Sequence, residues 1–257
     1  MRSRPSKVPE ITIAFWCAKI LTTGMGETAS DFLFHQFDPL LVIGFDGIGL
    51  ASSLALQFVV RRYIPWVYWL AVAMISVFGT MAADVLHVGF HVPDLTSTIV
   101  FSFLLLAIFV AWHKCERTLS VHSITTPRRE AFYWAVVLAT FALGTAAGDT
   151  TASTLNLGFF ASGVLFAVVI AIPAVLFWSV GLNAVFAFWF AYIVTRPLGA
   201  SFADWMGAAA DRGGLALGAG PISLALACVI ALMVVSQTLA KRPVRLSQRI
   251  GNPMEPT

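Results

Sequence analysis

The sequence predicts an all-α integral membrane protein of eight transmembrane helices, arranged as four parallel two-helix repeats with both termini in the cytoplasm. Three observations carry that prediction. First, 58% of the 257 residues are hydrophobic and only 11% are charged, too little charge to cover a soluble domain of this size. The apolar residues fall in runs of about 20, the length that crosses a bilayer core, and mean hydropathy is +0.84. Second, Lys and Arg are concentrated in alternate connections. Third, one spacing of aromatic, glycine and aspartate recurs four times.

The elements follow in chain order. Residues 1–10, MRSRPSKVPE, form a basic N-terminal arm, read as cytoplasmic. The first span, 11–33, holds Lys19 and Glu27 and lacks a small-residue cleavage site, so it reads as a retained helix and not a signal peptide. Span 39–60 contains GFDGIG with Asp46 and ends at Arg61-Arg62. Spans 65–87 and 94–113 precede a polar connector from His113 to Glu130. Spans 131–151 and 158–180 follow, then 183–206, in which Pro197 predicts a kink, and 215–240, which stops at Lys241-Arg242. The membrane domain is therefore 11–240, with repeats 11–60, 65–113, 131–180 and 183–240, and 241–257 is a cytoplasmic tail.

Charge sets the orientation. The first, third and fifth inter-helix connections carry no Lys or Arg, and the seventh carries only Arg212. Apart from Arg212 and the two inside spans, Lys19 and Arg196, the basic residues lie in the N-terminal arm, the second and fourth connections and the tail, which places both termini inside. A net charge of +3 is too small, and too regularly placed, to be a nucleic-acid footprint. The three cysteines are scattered: Cys17 and Cys228 in apolar runs, Cys115 in a loop. They form neither a disulfide framework nor a metal knuckle.

The repeat is [FY]W-x9-G-x4-D. Trp16, Trp69, Trp134 and Trp189 are each preceded by an aromatic residue: Phe15, Tyr68, Tyr133 and Phe188. Ten residues on stand Gly26, Gly79, Gly144 and Gly199. Fifteen residues on stand Asp31, Asp84, Asp149 and Asp204. With eight Trp and eight Asp in the chain, four coincidences mark an internal repeat. Each Trp and its Asp lie about 22 Å apart along a helix, so the Trp is assigned to the cytoplasmic interface belt and the Asp to the outer face. The glycine allows close helix approach.

These motifs, together with VPEITIAFWCAKILTTGMGETASD and LGTAAGDTTASTLNLGF, resemble a bacterial family of polytopic membrane-anchored proteins built from four tandem two-helix repeats of unknown function. The resemblance covers nearly the whole chain. It implies the fold and an inner-membrane location, and it implies no activity.

Function has to be read from polar residues. Positions 0, 3, 7, 11 and 15 after each Trp share one face of a helix. That face carries Lys19, Thr23, Glu27 and Asp31 in the first span, Ser76, Thr80 and Asp84 in the third, Thr145 and Asp149 in the fifth, and Tyr192, Arg196 and Asp204 in the seventh. Such a stripe belongs inside a bundle or along a water-filled path. Arg196, near the midplane, requires a carboxylate partner, for which Glu27 and Asp46 are the candidates. Lys19 has room to snorkel toward the cytoplasm.

A second constellation has metal-ligand chemistry. Asp84, His87 and His91 stand at i, i+3 and i+7, with His35 and Asp38 in the corresponding part of the first repeat. Thr150, Thr151 and Ser153 stand next to Asp149 as hydrogen-bond donors. No nucleophile elbow, phosphate-binding glycine loop or buried histidine pair for haem is present, so no enzymatic activity is expected.

The expectation is a transporter or exporter of a cation, such as the divalent metal manganese. Its outer mouth would be formed by the four repeat aspartates, above a layer of Glu27, Asp46, Thr80 and Thr145. A bound divalent metal ion is the one cofactor this reading admits. The bilayer and a small inorganic ion or solute are the expected partners, with no nucleic acid. Two alternatives stand beside it: a non-transporting membrane scaffold or sensor, and a transporter of an organic or anionic solute anchored by Arg196 and Lys19.

Overall fold

The computed structural model describes residues 6–240; the expected tail and the first five residues lie outside that range. Eight long helices follow one another: α1 (Ile13–Gln36), α2 (Pro39–Val59), α3 (Pro65–Asp84), α4 (Asp94–Glu116), α5 (Pro127–Asp149), α6 (Phe159–Val180), α7 (Ala184–Gly207) and α8 (Ala219–Ala240). Their starts carry local signals. Thr12, Asp38, Thr126 and Asn183 accept hydrogen bonds from the first-turn amides of α1, α2, α5 and α7. Pro39, Pro65 and Pro127 occupy first positions, where no amide hydrogen is needed. Arg117 and Gly181 end α4 and α6 in the left-handed conformation.

Seven of these helices, α2 to α8, are long and apolar enough to cross a membrane. The 24-residue α1 has the length but not the apolarity, because it carries Lys19, Thr22, Thr23, Glu27, Thr28 and Ser30, all of them buried.

The odd-numbered helices form a closed inner ring in which α1 packs on α3, α3 on α5, α5 on α7 and α7 on α1. The even helices lie outside, each against the first helix of the following repeat: α2 on α3, α4 on α5, α6 on α7 and α8 back on α1. Contacts between the two helices of the first and last repeats are sparse by comparison. Each repeat thus covers its neighbour, and the fourth closes the circle on the first. Burial follows: the odd helices supply the core, while α2, α4, α6 and α8 expose large apolar side chains such as Phe45, Phe103, Val168 and Leu232, as lipid-facing surfaces do.

Two layers of the repeat show how the ring is built. At one end, the aromatic residue before each Trp packs on the Trp of the next repeat: Phe15 on Trp69 at 5.9 Å between centroids, Tyr68 on Trp134 at 5.5 Å, Tyr133 on Trp189 at 6.1 Å and Phe188 on Trp16 at 5.7 Å. Midway, each repeat glycine receives the residue seven positions after the next repeat's Trp. Gly26 meets Ser76, Gly79 meets Phe141, Gly144 meets Arg196 and Gly199 meets Thr23. A Cβ on Gly79 would stand 2.5 Å from that of Phe141, and on the other three it would come closer still. Equivalent positions at equivalent levels mean that the four inner helices run in the same direction. At the same level, Ser76 Oγ donates to the Thr22 carbonyl at 2.8 Å and Thr23 Oγ1 to that of Thr195 at 3.2 Å.

The tryptophans correct the assignment to an interface belt. Trp69, Trp134 and Trp189 are buried, and only Trp16 is partly exposed. They form an aromatic collar that fills the inner ring at that end. Tyr68 and Tyr133 lie within it, their hydroxyls 2.5 Å apart.

Candidate functional site

The inner ring places the polar stripes of α1, α3, α5 and α7 around one axis. At the end opposite the aromatic collar it opens into a cavity of about 500 Å³. Asp31, Asp84, Asp149 and Asp204, one from each repeat, all line it, and so does Glu27, one helical turn deeper on α1. His35, Ser153 and Arg212 stand along its sides, and Phe32, Phe159, Ala203 and Pro221 add apolar wall. Ser30 Oγ donates to Asp84 at 3.2 Å, joining α1 to α3. Immediately after Asp84 and Asp149 the backbone widens into single π-helical turns, Val85–Gly89 and Thr150–Thr154, a local irregularity common at functional sites.

Below the cavity lies a buried ion pair. Arg196 is fully buried, and its Nη2 donates to Glu27 Oε2 at 2.6 Å. The same nitrogen bonds the hydroxyls of Thr80 and Thr145, the latter at 2.6 Å, and Nη1 donates to the Thr23 carbonyl at 3.0 Å. Thr80 and Thr145 also donate to Glu27 Oε2, at 3.4 and 3.2 Å. Glu27, Thr80 and Thr145 all stand eleven residues after their Trp, and Arg196 seven after its own. A single repeat register therefore puts carboxylate, hydroxyls and guanidinium in adjacent layers. The pair satisfies the requirement that a guanidinium at this depth have an anion.

One layer nearer the collar, Lys19 is 1% exposed. Its Nζ lies 3.8 Å from the Phe141 ring centroid and 4.3 Å from that of Tyr192, a cation–π arrangement, and has no hydrogen-bond partner among the described residues. Lys19 therefore does not snorkel but stays among these rings.

Three other expectations are corrected. Of the two candidate partners Glu27 takes Arg196, and Asp46, expected in the layer below the aspartates, does not line the cavity. It sits on α2 in the outer layer, beside the exposed Phe45 and Ile48. The five residues with metal-ligand chemistry are not brought together. His87 Nδ1 lies 2.6 Å from Asp94, His35 Nδ1 lies 2.6 Å from its own helix at the Asp31 carbonyl, Asp38 caps α2, and His91 lies past the end of the π turn with φ 53°. Only Asp84 and His35 of the five reach the cavity. Finally, Thr150 and Thr151 spend their hydroxyls on the carbonyls of Ala146 and Gly148 and not on Asp149.

Other residues are central to the structure although no motif in the sequence marks them as functional. Tyr68, Tyr133 and Phe141 lie within the ring, and the repeat spacing marks the first two only as aromatic neighbours of a Trp. A partly buried ion pair between Lys7 and Glu130, at 2.6 Å with Gln57 also on Glu130 at 3.1 Å, ties the N-terminal arm to α2 and α5. Residue-type spacing holds no trace of it.

The fourfold register seen in three dimensions is also a family signature. The family described as a Repeat of Unknown Function (DUF347) matches residues 14–63, 67–118, 132–181 and 187–243. The chain belongs to the DUF347 repeat family. Each DUF347 match begins close to a repeat Trp and spans one odd helix and the even helix after it, so the family unit coincides with the two-helix unit of the fold. No curated protein and no solved structure matches the chain.

Proposed function

We propose that this DUF347 protein is a multi-pass transporter or exporter of a cation in the bacterial inner membrane, with both termini cytoplasmic and the acidic cavity opening outward. The orientation rests on the basic residues of the N-terminal arm and of the second and fourth connections. One observation carries the functional reading: four aspartates, one per repeat, converge with Glu27 on a single cavity. Like charges gathered in a low-dielectric cleft repel one another, and a cation relieves that repulsion and is concentrated there.

Glu27 connects the cavity to the interior, since it lines the cavity and holds Arg196. A cation arriving at Glu27 competes with the guanidinium, so Arg196 acts as an internal counter-ion that yields when the site is occupied. A permanently open pore does not fit, because Arg196 and the aromatic collar block the axis. Passage would require rocking or rotation of repeats against one another, as in other repeat-built carriers. Oxygen donors suit hard cations, manganese among them.

The test is flux through proteoliposomes, screened over inorganic and organic cations, with Asp84→Asn and Asp149→Asn alongside the native chain. Transport lost in variants that stay folded supports the proposal. The Arg196 network, which joins α1, α3, α5 and α7, favours a second reading as a non-transporting scaffold. Absence of any flux, with the variants merely less stable, would establish that reading instead.

A further inference from the structure

We infer that the cation taken by this cavity is an aliphatic amine with two or more ammonium groups along a hydrocarbon chain, and not a bare metal ion. The inference rests on the reading of the cavity as a cation site and names its substrate class.

The first ground is how the charge is spread. A dehydrated divalent ion needs several donors within about 2.0–2.6 Å of one point. Here the four aspartates come from four helices around a space of about 500 Å³. Among the described residues no three His, Cys, Asp or Glu side chains come together as a metal site, and Glu27 Oε2 is already engaged by Arg196, Thr80 and Thr145. Carboxylates distributed in this way match positive charges distributed along a chain, each ammonium carrying its own donors.

The second ground is the wall. Phe32, Phe159, Ala203 and Pro221 line the same space, and the Phe32 ring is seated on Gly220, where a Cβ would stand 2.8 Å away. Apolar wall contributes nothing to holding a metal ion, whereas methylenes pack against it. The third ground is an unfilled hydrogen bond: Asp204 Oδ1 is occluded from solvent and has no donor among the described residues, although its side chain borders the cavity. A buried acceptor of this kind calls for a donor, and an ammonium in the cavity supplies one once the Asp204 carboxylate rotates to present Oδ1 to it. The chain also holds an organic cation of its own at the floor, the guanidinium of Arg196 on Glu27.

The experiment is calorimetric titration of the purified full chain in detergent micelles with spermidine and, separately, with Mn²⁺. It is repeated on Phe32→Gln, which keeps every carboxylate and alters a half-exposed residue. Spermidine is expected to bind about tenfold more tightly than Mn²⁺. Phe32→Gln should weaken spermidine about threefold or more through lost methylene contact and leave Mn²⁺ unchanged. Mn²⁺ binding as tightly as spermidine, or spermidine indifferent to Phe32→Gln, overturns the amine assignment and leaves the cation reading standing. Binding of neither overturns both.

Discussion

Arg196 and Glu27 meet at 2.6 Å in the middle of the inner ring, donated by the fourth and first repeats. The contact closes the circle electrostatically where α7 and α1 close it sterically. It is also where the fourfold pattern breaks, because the equivalents of Arg196 are Thr23, Ser76 and Phe141, and those of Glu27 are Thr80, Thr145 and Ala200. A fourfold scaffold thus carries one asymmetric charge pair, set directly below the cavity that the four aspartates line.

Breaking that pair from one side leaves an uncompensated buried charge. Arg196→Met or Glu27→Gln should each cost about 3–5 kcal/mol, and the double variant should recover much of the loss. Thermal unfolding of the four chains in one detergent measures the coupling. Single and double variants with additive losses would show that the pair is not coupled.

Lys19 presents the opposite case. Its ammonium has no hydrogen-bond partner among the described residues and faces only aromatic rings, so removing the charge loses a cation–π contact of about 2 kcal/mol and relieves a desolvated charge at the same time. Lys19→Met is therefore expected to be as stable as the native chain or more so, in contrast to Arg196→Met. The same unfolding series decides it.

Glycine substitutions should change sign between the inner ring and the helices outside it. Gly144→Ala would drive a methyl group into Arg196 and is expected to lose about 1–3 kcal/mol through overpacking. A Cβ on Gly44 of α2 would have nothing within 4 Å. Gly44→Ala should stabilise the helix by about 0.5–1 kcal/mol by reducing the freedom of the unfolded chain.

Cation binding at the cavity should depend on pH in one direction. Carboxylates bind cations when ionised, and protons compete for them, so affinity falls as the pH is lowered. Titrations of the native chain at several pH values, beside Asp149→Asn, test this; the variant should bind more weakly and show a shallower dependence. Affinity that rose on acidification would place binding elsewhere.

The topology yields to thiol labelling. With Cys17 and Cys228 replaced, Cys115 beside the fourth connection should react only with reagents that reach the cytoplasm, and a cysteine placed at Asn156 only with reagents outside. The reverse result would invert the proposed orientation.

Much of the architecture was legible because the repeat writes its geometry in residue types. The Trp–Gly–Asp spacing of residues such as Trp134, Gly144 and Asp149 marks the unit, and a polar stripe in an apolar helix has to face inward, which is where Lys19, Thr23 and Glu27 lie. Hydropathy located the helices to within a few residues; α8 begins at Ala219, not at 215, because Gly213 and Gly218 adopt positive φ in the connection before it. The His and Asp residues between 84 and 91 misled for a local reason. Their i, i+3, i+7 spacing presumes an unbroken α-helix, and the π turn after Asp84 and the left-handed His91 remove that premise.

By itself the sequence determined the apolar helices, their number and the fourfold unit, since burial in lipid and helical periodicity act through residue type and spacing along one chain. Only the tertiary structure decided that each even helix covers the next repeat, that α8 returns to α1, that Asp46 stays outside while Glu27 takes Arg196, and that the tryptophans form a buried collar. Those outcomes depend on which helices become neighbours. That choice is made by shape, through glycines that admit one particular side chain from the adjacent repeat, and a pattern within a single helix carries no information about the helix that will fill it.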